Sequence, residues 1–109
     1  MVGSGPAGLE ASRVLGKMGH KVALAEKSRE LGGRIVTEAK LPGLSEWIRV
    51  RDWRITQINK CHNIEVFPES FMTADSVLEL GYEDVIIATG ARWAKDTIGR
   101  HSNCDFKKA

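Results

Sequence analysis

Cysteine is scarce: Cys61 and Cys104 are the two thiols in 109 residues. Two thiols build no disulfide framework of the kind that staples small secreted domains, so a reducing, cytoplasmic setting is expected. No apolar run approaches the roughly 20 residues that span a bilayer, and the basic, apolar, small-residue order of a secretory leader is missing, so no membrane partner is expected. Excess charge is lacking too. Lys and Arg total 16 against 14 Asp and Glu, a net +2, too little to argue for a nucleic-acid partner. Metal-ligand spacing is absent: Cys61-His62 and His101-x-x-Cys104 fit no standard site, and no metal is expected. No Ser/His/Asp set has an interpretable context, so no catalytic residue is assigned.

What is present is an ordinary globular composition, 42% hydrophobic and 28% charged, enough for one core and one domain at most. The informative stretch is the first 26 residues. Met1-Val2 leads into Gly3-Ser4-Gly5-Pro6-Ala7-Gly8, then a run with helical spacing, then Lys21-Val22-Ala23-Leu24-Ala25-Glu26. Strand end, glycine turn, helix, second strand and closing acid make up the dinucleotide-binding βαβ fingerprint. Gly3 allows the tight turn, Gly5 lets a pyrophosphate approach bare backbone, and Gly8 lets the helix pack closely on the strand. Pro6 suits the first helical position, where its missing N–H would be unpaired anyway. The helix start at Pro6 and Ala7 offers N–H groups and a positive dipole end to phosphates. Glu26, with Lys27 beside it, lies about 20 residues on, where an acid accepts from a ribose 2′-hydroxyl. Leu9-Glu10 stands where a triphosphate-binding P-loop needs lysine and a hydroxyl residue. Tyr82 lacks the lysine four residues later that a short-chain dehydrogenase offers; Ile86 is there.

Further along, Pro6 to Met18 reads as a helix with Ala7, Ala11, Val14, Leu15 and Met18 on one face, ended by Gly19. Lys21 to Glu26 reads as a strand covered on both faces. Lys27 to Lys40 reads as a loop, its Gly32-Gly33 pair again permitting close approach to a ligand. Arg34 is either a contact to a phosphate or flavin edge or an exposed turn arginine. Ser45 is the expected N-cap of a helix from about Glu46 to Lys60. On it Trp47, Ile48, Arg51, Ile55, Ile58 and Asn59 share a side, and Trp47 and Trp53 are expected to pack. Ile64 to Phe67 is a short strand, and Thr73 caps a helix that Gly81 stops. Asp84 to Thr89 reads as a buried parallel strand whose end, Thr89-Gly90, meets a ligand. Strands alternating with helices give an α/β fold with a Rossmann-like parallel sheet.

The glycine fingerprint, the acid, Gly32-Gly33 and the closing Ala88-Thr89-Gly90 together resemble the dinucleotide-binding domain of flavoproteins that carry two such domains. The middle narrows the resemblance. Leu41-Pro42-Gly43-Leu44-Ser45-Glu46-Trp47, Arg51-Asp52-Trp53-Arg54, Gln57-Ile58, Lys60, Met72-Thr73-Ala74-Asp75 and the run from Val85 to Trp93 look like the trimethylamine/dimethylamine dehydrogenase family, relatives of histamine dehydrogenase and 2,4-dienoyl-CoA reductase.

The resemblance implies a domain that binds ADP or FAD, with Gly3, Gly5 and Gly8 at the pyrophosphate, Glu26 at the ribose, and Gly33, Arg34, Thr89 and Gly90 on the rest of the nucleotide. It places the FMN, the iron–sulfur cluster and the catalytic residues in a barrel elsewhere in the parent. The implied partners are an adenine dinucleotide and the remainder of that flavoprotein, which would oxidise a small amine or reduce an enoyl thioester. Only Met1 and Val2 precede Gly3, whereas strands usually run about five or six residues. The expectation is an N-terminally truncated domain over residues 1–100 and a tail over 101–109. A non-catalytic nucleotide-binding module and an inactive truncated product are the alternatives.

Overall fold

The computed structural model describes residues 1–92. The expected tail from 101 to 109, the end of the 1–100 domain, the His101/Cys104 pair and Trp93 lie outside the described residues. The order of elements is α1 (Pro6–Lys17), β1 (Val22–Ala25), α2 (Arg34–Glu38), a 3-10 turn (Ser45–Trp47), α3 (Ile48–Asn59), β2 (Ile64–Phe67) and α4 (Ala74–Glu79). This is an α/β fold on a parallel sheet. β1 and β2 pair in parallel from Val22 opposite Ile64 to Ala25 opposite Phe67. Val2 extends the sheet on the other side of β1 and bridges in parallel to Ala25 and to Ile87. Its N–H donates to the Ile86 carbonyl at 2.9 Å and its carbonyl accepts from Ala88 N at 2.8 Å. The first residues thus run through the middle of the sheet, as the fingerprint requires.

The core is Leu9, Val22, Leu24, Ile58 and Ile64, with Leu15, Leu31, Ile55 and Val66 packed around it. Each such aliphatic side chain, once buried, contributes about 1.5–3 kcal/mol. α1 and α3 close over one face of the sheet, where Val22 and Leu24 are buried; on the other face Ala25 is buried and Ala23 half-buried. None of the described helices is long and apolar enough to cross a membrane.

Several expectations are corrected. The buried face of α1 is Gly8, Leu9, Ser12 and Gly16, while Ala7, Val14 and Met18 are exposed. Leu9 enters the core from that face, and small size places Gly8 and Gly16 beside it. A Cβ on Gly8 would overlap the Gly3 carbonyl, and one on Gly16 would overlap Ile64 Cδ1. The segment read as loop from Lys27 to Lys40 contains α2, anchored by fully buried Ile35. Ser45 caps nothing: it is itself the first residue of the 3-10 turn, and α3 proper starts at Ile48. Trp47 and Trp53 are exposed at 37% and 49%. Trp53 lies against two guanidiniums, Arg13 at 5.1 Å and Arg54 at 5.5 Å from its ring centre, because the buried side of α3 belongs to Ile58. The segment from Asp84 to Thr89 is an extended chain with the single bridge to Val2, not a buried strand. Ile87 is 73% exposed, since no described residue covers its outer edge.

Two substitutions test this packing by urea denaturation. Ile58→Ala is expected to cost about 2–5 kcal/mol through lost burial and a cavity. Ser12 Oγ is buried with no partner among the described residues, so Ser12→Ala is expected to be neutral or to stabilise by about 1 kcal/mol.

Candidate functional site

A cleft of about 520 Å³ opens where the parallel strands end and α1 begins. This is the place an open α/β sheet provides for a ligand. Its floor is the turn from Gly3 to Gly5. Gly3 has φ +104°, and a Cβ there would overlap the Ala88 carbonyl, so side-chain-free backbone is required. At Gly5 the reason is different: φ is −68° and a Cβ would meet no protein atom within 4 Å. The space over Gly5 is cleft. Pro6 occupies the first helical position and no described side chain caps the helix, so the N–H groups of its first turn remain available to a ligand.

A second glycine turn lies against the first. Gly32 N donates to the Ser4 carbonyl at 2.8 Å, and a Cβ on Gly33 would come within 3.0 Å of Gly5 Cα. Arg51 reaches from α3 over Gly32 and donates to the Leu31 carbonyl at 3.4 Å. Gly33 and Arg34 line the cleft beside Gly5, and Arg34 pairs with Glu38 at 3.3 Å one turn along α2. The segment Ala88, Thr89 and Gly90 lines the wall nearest Gly3.

Glu26 closes the far side. It is 7% exposed, a carboxylate held almost wholly inside the protein. Oε1 accepts from Ser4 N at 3.0 Å and from Ser4 Oγ at 2.7 Å; Oε2 accepts from Ser28 N at 2.8 Å. Burial pushes its pKa up, but these donors outweigh burial and hold the group below its ordinary value. The Ser28 side chain lies beside the carboxylate as well and adds to the same lowering. Ser70 N donates to the Glu26 carbonyl at 2.7 Å, which brings Ser70, Phe71 and Met72 to the cleft beside the acid.

Of the residues singled out in the sequence, Gly3, Gly5, Pro6, Ala7, Glu26, Lys27, Gly33, Arg34, Thr89 and Gly90 all line this one cleft. Gly8 does not. It lies behind the turn, against Gly3. Sequence reasoning missed Ser4, Ser28, Ser70 and Phe71. Ser4 occupies a freely variable place in the motif, and only its contact with an acid 22 residues away gives it meaning. Among the described residues no group of three or more His, Cys, Asp or Glu is arranged to hold a metal ion.

Comparison with known proteins finds relatives of this chain. The profile of the family described as "Pyridine nucleotide-disulphide oxidoreductase" matches residues 1–107. Dimethylamine dehydrogenase of Hyphomicrobium sp. (strain x) is 40% identical over 108 residues, covering 94% of this chain and 15% of that protein. The structure of histamine dehydrogenase from Rhizobium sp. 4-9 superposes with a TM-score of 0.89 at 49% identity, over 94% of this chain and 16% of the other. That of 6-hydroxypseudooxynicotine amine oxidase from Pseudomonas geniculata N1 gives 0.90 at 41% identity, over 95% and 16%. The chain therefore spans about 15% of the length of the curated relative it matches.

The Glu26 bonds predict a pH signature. A carboxyl whose pKa is lowered by folding stabilises the fold above its unfolded value, near 4.5, and loses that contribution as pH falls through the folded value. Glu26→Gln is expected to be less stable than the parent by about 1–3 kcal/mol at pH 7. The gap should narrow on acidification below pH 4.5. Urea melts of both chains across pH 3–7 check it.

Proposed function

Because the chain belongs to the pyridine nucleotide-disulphide oxidoreductase family, we propose that its cleft holds the ADP moiety of an adenine dinucleotide, as FAD or as ADP itself. The observation that carries this is the open space over Gly5 at the start of α1, a cradle that a single Cβ would fill and that no protein atom uses. The residues fit the group. Gly3, Gly5, Pro6 and Ala7 bring backbone and the helix start to the phosphates, and Gly8 keeps the helix close enough to do so. Glu26 accepts a ribose hydroxyl on Oε2. Lys27, Gly33, Arg34, Thr89 and Gly90 surround the rest of the nucleotide.

A bound flavin supplies the redox chemistry, and the share of this chain is to bind and orient. The domain extends over residues 1–100 in a longer cytoplasmic flavoprotein that oxidises a small amine, in keeping with the similarity to dimethylamine dehydrogenase and histamine dehydrogenase. Any FMN and iron–sulfur cluster belong to the remainder of that protein.

Calorimetric titration with ADP and FAD tests the reading. The chain is expected to bind ADP, and Gly5→Ala to weaken binding by roughly tenfold while costing no more than about 1 kcal/mol of stability. Absence of binding, or an unchanged affinity in Gly5→Ala, would overturn it.

A further inference from the structure

Ser4 is fully buried, yet it is the residue at which three separate parts of the cleft meet. Its N–H and its hydroxyl both donate to Glu26 Oε1, at 3.0 and 2.7 Å. Its carbonyl accepts from Gly32 N at 2.8 Å, and its Oγ accepts more weakly from the same N–H at 3.4 Å. The direction of the hydroxyl bond is fixed. A hydroxyl has one proton, the ionised carboxylate can only accept, and the Gly32 N–H can only donate. The proton of Ser4 Oγ is therefore committed to Glu26.

We propose that Ser4 is a positioning residue for nucleotide recognition: its hydroxyl pins Oε1 of Glu26 inside the protein and so holds Oε2, the oxygen beside Ser28, for a ribose hydroxyl. The assignment rests on the nucleotide-binding reading of the cleft. Ser28 holds Oε2 and Ser4 N holds Oε1 at 3.0 Å, while the hydroxyl supplies the shortest bond to the carboxylate, at 2.7 Å. Removing the hydroxyl would leave Oε1 with only the longer bond from Ser4 N in a site 7% exposed, so the carboxylate would be held less firmly in its rotation. The joint between the two glycine turns would survive, because Gly32 N keeps its shorter bond to the Ser4 carbonyl. The loss should therefore fall on the sugar and spare the phosphates.

Titration of the chain and of Ser4→Ala with ADP, 2′,3′-dideoxy-ADP and AMP separates these components. In the parent chain, loss of both hydroxyls is expected to weaken binding by about tenfold, as for the loss of a hydrogen bond to a charged group. In Ser4→Ala that ratio should fall below about threefold, while the preference for ADP over AMP stays within about twofold of the parent. A parent that binds ADP while Ser4→Ala keeps the full sugar preference overturns the role of Ser4 alone. So does a fall of both preferences together, which would mark a collapsed turn, or a parent indifferent to the hydroxyls. A parent that binds no ADP overturns the nucleotide reading and this role with it. Should Ser4→Ala fail to fold, Ser4→Cys, similar in size with a weaker donor, is expected to show an intermediate sugar preference, and a parent-like one there overturns the proposal.

Discussion

At the head of α1 backbone meets backbone with no side chain between. The turn at Gly3 touches the Ala88 carbonyl, Gly8 presses on the Gly3 carbonyl, and Gly33 comes up against Gly5. Three segments far apart in sequence are held at a separation that a single methyl group would prevent. The direction of α1, the order of strands on either side of Val2 and the opening of the cleft all follow from that contact. Dispersion between closely packed atoms is weak for each pair and large in sum, and here it is gained by omitting side chains.

Such an arrangement needs polar groups to finish it, since turns that approach so closely have little room for water. Glu26 does this for the end of β1. A carboxylate that is nearly buried is costly unless its oxygens are bonded, and Ser4 and Ser28 bond them. The same contacts that make the acid tolerable inside the protein also limit what it can still offer a ligand. Stability and recognition are thus set by one group of hydrogen bonds.

Arg51 shows a related economy on the far side of the second glycine turn. Its stem lies over Gly32 while its guanidinium reaches the Leu31 carbonyl, Asp52 at 2.8 Å and Glu30 at 3.7 Å. A long cationic side chain can cover apolar surface while its head finds carboxylates and carbonyls. α3 thereby supports a cleft it does not line.

The amino-acid order by itself determined the βαβ fingerprint, the apolar run of β1, the short β2, the Thr73 cap of α4 and many of the residues that share the cleft, though not Ser4, Ser28, Ser70 or Phe71. These are local signals: turn chemistry, period and spacing suffice for them. Only the tertiary structure decided which face of α1 is inward, because close approach rewards Gly8, Ser12 and Gly16 over larger apolar neighbours. It also decided that Trp53 lies outside against two arginines, and that Val85, Ile86 and Ile87 are exposed. An apolar run reports what a segment could bury and not which neighbours reach it. The pairing of Ser4 with Glu26 belongs to the same class, since a hydroxyl acquires a role only when folding brings its acceptor within 2.7 Å.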